Sequence, residues 1–408
     1  MLPLETIQHF KNEIQNELTG RLLPFWINQA VDHRRGGFYG EISYDLQVNR
    51  NAEKGSILNS RILWTFASAY RQFSDENYLT IANRAFDFLK QYFWDAEYEG
   101  LYFTVNSQGK VVDSRKQVYN LAFGIYGLSE YYRATGLEVS LKLAVRLYSL
   151  IEKYAHDKLY KGYFEAFSRD WALFDDSRLS VTDPNEKKSM NTHLHLMEAY
   201  TNLLRVWDSE ELRNSLRELL IVFIDRIVNP DTGHFKLFFD EAWNSKSNDI
   251  SFGHDIEGSW LLYETAIVLK KPAIISMVKE ISINMAQKIY EEGLDAEFGG
   301  LFNEAENGVP KDFYKVWWVQ AEALVGFLNA YELSGYNHFL KTTYEIWQYI
   351  NRYLIDKTHG EWFWQVNRDG VPDKRRHKVG QWKCPYHNGR ACIELINRLE
   401  RIKKKGFE

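Results

Sequence analysis

Two cysteines, Cys384 and Cys392, are all that 408 residues contain. They are too few for a disulfide scaffold and wrongly spaced for a zinc knuckle, and such usage suits a reducing compartment, so a cytoplasmic location is expected. Basic blocks are missing too. Net charge is −5 and the pI near 6.2, whereas a binder of phosphate backbones needs a clustered positive face; no nucleic-acid partner is expected. No apolar run approaches the length of a bilayer span, and the opening MLPLETIQHFKNEIQNEL is charged and amphipathic rather than signal-like, which argues against a membrane partner. The chain also lacks a G-x-G-x-x-G after a strand, a P-loop, a zincin motif and the local signature of a Ser or Cys nucleophile, so nothing announces dinucleotide, nucleotide or acyl-enzyme chemistry.

Aromatic side chains, by contrast, are abundant: 13 Trp, 25 Tyr and 25 Phe, 15 % of the chain. A large core accounts for most of them. Several Trp nevertheless sit among polar and ionisable residues, in KVWWVQAEA, GEWFWQVN and GQWKCPYHNG. Indole faces beside hydrogen-bonding groups suit a ligand with apolar C–H faces and many hydroxyls, which describes a sugar.

A weak repeat organises the chain. Glycine followed by an aromatic or apolar pair recurs at Gly36, Gly100, Gly162, Gly233, Gly299 and Gly360, at intervals of roughly 60–70 residues. Each copy opens an alternating stretch with a turn, such as LYFTVNSQGKVVD, which reads as a short hairpin. Two helices of different kinds follow. QVYNLAFGIYGLSEYYRAT is apolar nearly all round, whereas LEVSLKLAVRLYSLIEKYAHD carries one stripe (Leu143, Leu147, Leu150, Tyr154) with charges opposite. A helix apolar on every face is buried on every face; a striped helix has one wet side. Six inner and six outer helices describe an all-α (α/α)6 barrel with hairpins at one mouth, one domain over residues 1–408. The segment from Leu4 then has to pair outside the last inner helix, Tyr386–Leu399. An open superhelix is the alternative, although it would call for atypical polar end caps.

If the ring closes, the six inner-helix starts share one mouth. The odd polar residues lie there: Arg61; Tyr119; Asn191, His193 and His195; His254 and Glu257; Trp317, Trp318 and Glu322; Trp382 and His387. Each also has a bland reading. His193 and His195, two apart on a helix, cannot both face the lumen. His254 and Glu257, at i,i+3, form a helical pair whether or not they do chemistry. Arg61 is equally a satisfied structural arginine, one of the two adjacent indoles is expected to pack, and His387 can simply cap a helix start. A metal site from His195, His254, Glu257 and His387 is conceivable, but a neighbouring arginine opposes a cation. Glycoside hydrolysis would need two carboxylates across the scissile bond; this mouth is rich in imidazole, which takes and returns protons near neutral pH.

Six blocks in the same order, ILNSRILW, YNLAFGIYGLSEYY, MNTHLHLMEAYTNL, GHDIEGSWLL, WWVQAEALVGF and QWKCPYHNGR, resemble the cellobiose 2-epimerase branch of the N-acylglucosamine 2-epimerase family. The resemblance runs from Pro24 to Arg398. It implies an (α/α)6 barrel and interconversion of glucose and mannose configuration at C2 of a reducing-end sugar, through ring opening and a cis-enediolate; the alternatives are an N-acylglucosamine 2-epimerase, a mannose-type aldose–ketose isomerase or a non-catalytic sugar-binding protein. It makes His254 and His387 the acid/base pair and gives Glu257 the task of holding His254. Arg61 and His195 would stabilise O1 and O2. Tyr119, Asn191 and Glu322 would serve the sugar, with Trp317 and Trp382 stacking on its two rings. The scheme requires no cofactor and no metal; the expected partner is a β-1,4-linked disaccharide, and the expected assembly a monomer or weak homodimer. RLSVTDPNEKKSMN is expected to form a lip over the outer sugar.

Overall fold

The computed structural model describes residues 2–405. Helix α1 (Leu4–Glu17) continues through a π turn into the short α2 (Leu23–Asn28). Then come α3 (Ser56–Phe73), α4 (Glu76–Phe88), α5 (Val118–Thr135), α6 (Glu138–Tyr154), α7 (Met190–Leu204), α8 (Glu210–Val222), α9 (Phe252–Leu269), α10 (Pro272–Glu292), α11 (Trp317–Ser334), α12 (Asn337–Tyr349) and α13 (Tyr386–Lys405). The two kinds of helix are as the patterning predicts. Every residue of α5 from Val118 to Tyr131 is buried, while α6 buries one side, Ser140, Ala144, Leu147, Tyr148, Leu150 and Ile151; of the expected stripe, Leu143 and Tyr154 are only half-buried. Apolar area removed from water, rather than propensity, therefore decides which helix goes inside.

The inner helices α3, α5, α7, α9, α11 and α13 each pack on the next, and α13 returns to α3. Outside them, α4 lies on α3, α6 on α5, α8 on α7, α10 on α9, α12 on α11 and α1 on α13. This is the expected (α/α)6 barrel, closed by the N-terminal helix; the return of α13 to α3 removes the open superhelix.

The repeated glycines have a backbone reason. Gly36, Gly100, Gly162, Gly233, Gly299 and Gly360 all adopt φ between 76° and 82°, a left-handed conformation that costs a side-chain-bearing residue about 1 kcal/mol or more. Each sits in the turn of one hairpin. Just before an inner helix, a two- or three-residue strand pairs with the following hairpin: 54–55 with 104–105, 116–117 with 166–167, 188–189 with 238–239, 249–251 with 304–306, and 315–316 with 365–366. A bridge between Ile42 and Val379 completes the circuit. The hairpins thus staple neighbouring repeats together at one mouth, where the inner helices begin.

Beneath these strands lies a girdle of buried ion pairs: Lys54–Asp32, Lys116–Asp95, Lys188–Asp157 and Lys315–Asp295, at 2.7–3.1 Å. The fourth repeat has Ile250 in the lysine's place on the strand and Asn229 in the aspartate's place in the turn. Both charges are absent together, as the cost of a lone buried charge requires.

Candidate active site

The inner-helix starts enclose one cavity of about 420 Å³, open at the mouth, a volume suited to a small ligand. Arg61, Tyr119, Asn191, His195, His254, Glu257, Trp317, Trp318, Trp382 and His387 all line it, joined by Trp364 and by Leu179, Ser180, Thr182 and Asp183 of the expected lip. A smaller recess of about 150 Å³ continues from it beneath the lip, past His254 and Asn191 to Ser251 and Glu165.

Three imidazoles face this cavity, each held through Nδ1, which leaves Nε2 for a ligand. His387 donates Nδ1–H to Glu322 Oε1 at 2.7 Å, and His195 donates to Glu198 Oε2 at 2.9 Å. His254 Nδ1 lies 2.7 Å from Ser251 Oγ. The indole of Trp318 joins the two outer members: its ring centre is 4.7 Å from that of His254 and 5.5 Å from that of His387. Gly253 makes room for that indole, since a Cβ there would stand 2.5 Å from Trp318. Burial makes the imidazolium form costly. It lowers His254 to about 3 and holds His387 well below the usual imidazole value, with the charges of Arg61 and Arg390 adding to the effect on His387. His195 is lowered by the same burial, opposed by Glu198. The resting bowl therefore presents neutral imidazoles.

Arg61 is boxed by aromatics, its guanidinium 4.1 Å from the centre of Phe123 and 5.1 Å from that of Tyr386, and it donates to Tyr119 Oη at 2.7 Å. Beneath the bowl, Arg390 gathers three carboxyl groups. Its Nη2 donates to Glu257 Oε1 at 2.5 Å and Glu322 Oε1 at 2.6 Å, and its Nη1 donates to Glu198 and Tyr386. Burial would raise Glu198, but the Arg390 charge and the His195 bond bring it down to about 2. Burial and the neighbouring Glu322 push Glu257 well above the ordinary carboxyl range. Glu322 accepts from Arg390, His387 and Trp260, whereas Glu257 has one donor and an unpartnered Oε2. Glu257 is thus the member of this pair whose neutral form the surroundings favour more.

Glu257, Glu322 and His387 are close enough to suggest a metal triplet. The guanidinium of Arg390 already fills the space between the two carboxyls, so the donor set is built around an organic cation and does not fit a metal ion. Four buried polar atoms of cavity residues lack partners: Asn191 Oδ1, Glu257 Oε2, Trp317 Nε1 and Arg61 Nε. Buried polar groups are seldom left unmet, and a ligand rich in hydroxyls would answer those that face the bowl.

Two expectations change. Glu257 does not hold His254: among the described residues its only partner is Arg390, and Ser251 holds His254 instead. Three residues along a helix put the two on one face, but α13, two inner helices further round the ring, supplies a stronger partner for the carboxyl. Glu322, expected beside the sugar, stands behind His387. His193 is the packed member of its pair, its Nδ1 bonded to Ser189 O at 2.7 Å and its Nε2 accepting Tyr163 N–H at 2.9 Å. Both Trp317 and Trp318 reach the cavity, and only Trp317 is fully buried.

Arg390, Glu198, Ser251 and the histidine-side role of Trp318 were not legible beforehand. A register would have found Arg390. Arg61, His195, Glu257, Glu322 and Arg390 each stand seven positions after the residue at the lysine's place in their repeat, namely Lys54, Lys188, Ile250, Lys315 and Lys383. One layer of the barrel is therefore polar almost all round.

The model of the N-acylglucosamine 2-epimerase (GlcNAc 2-epimerase) family matches residues 37–391. The chain is 45 % identical to a cellobiose 2-epimerase of Bacteroides fragilis over 95 % of its own length and 98 % of that protein's. It is 43 % identical to a cellobiose 2-epimerase of Ruminococcus albus, again over 95 % and 98 %. The solved structure of cellobiose 2-epimerase from Bacillus thermoamylovorans superposes with a TM-score of 0.91 at 42 % identity, covering 96 % of this chain and all of that one. With a family model spanning nearly the whole barrel and relatives this similar end to end, the chain belongs to the N-acylglucosamine 2-epimerase family.

Proposed function

We propose that this chain is a cellobiose 2-epimerase, which interconverts glucose and mannose configuration at C2 of the reducing-end sugar of cellobiose, lactose and related β-1,4 disaccharides. The observation that carries the reading is the pair of neutral imidazoles, His254 and His387, flanking Trp318 in one cavity.

In the open-chain sugar the C1 aldehyde acidifies the C2 proton. One of the two histidines takes that proton on Nε2, and the electron pair moves through C1–C2 onto the carbonyl oxygen, giving a cis-enediolate. The other histidine, entering this step as the imidazolium after taking a proton from solvent, returns a proton from Nε2–H to the opposite face of C2; the electrons collapse back to the aldehyde, and the first histidine gives its proton to solvent. Two bases around one carbon suit inversion there. Arg61 stabilises the charge growing on O1 and O2, and His195 accepts a hydroxyl hydrogen of the sugar at its bare Nε2. Protonated Glu257 offers a hydroxyl hydrogen at Oε2 to a sugar oxygen. Tyr119 and Asn191 serve hydroxyls, while Trp317 and Trp382 receive the sugar faces. Glu322 and Glu198 fix the Nδ1–H tautomers of His387 and His195, as orienting carboxylates do elsewhere.

The scheme needs no cofactor, and the whole chain acts as one catalytic domain, cytoplasmic, as a monomer or weak homodimer. Among the described residues no helix is long and apolar enough to cross a membrane. The test is product analysis: incubation with cellobiose yields glucosyl-mannose, whereas release of free glucose would assign hydrolysis and overturn the reading.

A further inference from the structure

The three imidazoles of the bowl are held by unlike partners. His195 and His387 donate Nδ1–H to carboxylates, Glu198 and Glu322. His254 alone meets a hydroxyl, Ser251 Oγ at 2.7 Å. Ser251 is the residue preceding α9, a place where serine commonly bonds the exposed N–H groups of the first turn. Ser189, at the same place before α7, does so by accepting Thr192 N–H at 3.1 Å. Ser251 makes no such cap; its hydroxyl is given to His254. Its backbone is also pinned, because Ser251 pairs with Glu304 in the mouth sheet and is itself buried.

The chemistry of the two kinds of partner differs. A carboxylate only accepts, so it confines an imidazole to the form with hydrogen on Nδ1 and a bare Nε2. A hydroxyl donates or accepts, and so serves Nδ1–H and bare Nδ1 equally. We propose that Ser251 is the positioning residue of His254: its hydroxyl fixes the ring while leaving both tautomers open, so that neutral His254 offers Nε2 either bare or carrying hydrogen, and neutral His387 only bare. The inference rests on the epimerase reading for its kinetic consequence, though not for its tautomeric one. In turnover, His254 accepts the C2 proton at Nε2 with Nδ1–H turned to Ser251 Oγ. When the sugar is bound but unreacted, the Nε2–H form can donate to a sugar oxygen while Ser251 O–H donates to Nδ1.

Three variants and one spectrum test this. Ser251→Ala should lower kcat on cellobiose about 10- to 100-fold, the usual loss on removing the group that orients a functional histidine, with KM within about twofold and an unchanged melting temperature. Ser251→Thr, which keeps the hydroxyl, should recover kcat to within about threefold of the parent. Ser251→Asp gives His254 the accept-only partner that His387 has, and should move the acid limb of kcat/KM to higher pH by about one unit. The tautomers are read directly by 15N-histidine NMR of the unmodified protein: His387 in a single form, His254 in exchange between two, and locked in the Ser251→Asp variant. A Ser251→Ala enzyme with parental kcat and an unmoved pH profile, or a His254 spectrum showing one tautomer only, overturns the proposal. A parent enzyme that fails to epimerise cellobiose overturns the proposed function instead, and the NMR result still decides the role of Ser251.

Discussion

His193 and His195 stand two residues apart on α7, both fully enclosed, and they belong to different systems. His193 spends both nitrogens on backbone groups, Ser189 O and Tyr163 N–H, and ties the helix to its hairpin. His195 spends one, on Glu198, and turns the other side of its ring to the bowl. The same division separates the whole girdle under the strands from the polar layer of the bowl. In the girdle each buried lysine meets its aspartate. In the bowl Asn191, Glu257, Trp317 and Arg61 keep atoms with no partner. Burial and charge do not distinguish a functional polar group from a structural one here; what sets the bowl apart is that its polar side chains line one open cavity.

The strongest way to break this comparison is to remove an imidazole of the bowl. His387→Asn and His254→Asn should each lower kcat on cellobiose by about 10³-fold or more, within the range of general acid–base catalysis, at an unchanged melting temperature; loss of fold rather than of turnover would reassign them to the girdle. His195→Asn should cost less, about 10²-fold in kcat, as loss of one group that positions the reacting end of the sugar. pH sharpens the contrast. Because burial lowers His254 to about 3, its base form survives acidification and is lost only as pH falls through that depressed value. The acid limb of kcat/KM should therefore lie below 6.5, and a midpoint at or above 6.5 would mean that the bowl is wetter than described.

The girdle responds in stability instead. Lys188→Ile alone strands Asp157 and should lower the unfolding free energy by about 3 kcal/mol, as measured by denaturant titration. Adding Asp157→Asn copies the fourth repeat, with its Ile250 and Asn229, and should restore most of the loss. The smallest effect belongs to His193→Gln. Gln320 occupies the corresponding place on α11, where it accepts Leu301 N–H at 2.8 Å, so stability should change by less than about 1 kcal/mol and kcat by less than twofold.

How much of this could be read beforehand follows from the range of each interaction. The alternation of all-round and one-sided apolar helices is local patterning, and with the left-handed glycines it suffices for twelve barrel helices, their order and the shared mouth. Arg61, His195, His254 and His387 were recognisable because their types are unusual at the start of a buried helix. Partnerships were not. Spacing of three residues pairs Glu257 with His254, but Arg390, 133 residues away in sequence, takes it. Glu322 finds His387 across 65 residues. Such choices depend on the angular order of the inner helices, which no single helix encodes. Arg390 is inconspicuous for a related reason: taken alone in QWKCPYHNGR it is an ordinary arginine, and the ring gives it three carboxyl groups.

The central claim is that two opposed imidazoles move one proton on a sugar carbon, and its most direct measurement is the fate of hydrogen at C2. Cellobiose incubated with the protein in deuterated water, without added metal or nucleotide, should give glucosyl-mannose carrying deuterium at C2, detected by loss of the C2 proton resonance. Epimer formed with its C2 hydrogen quantitatively retained and no uptake from solvent, or no epimer at all, would contradict the account.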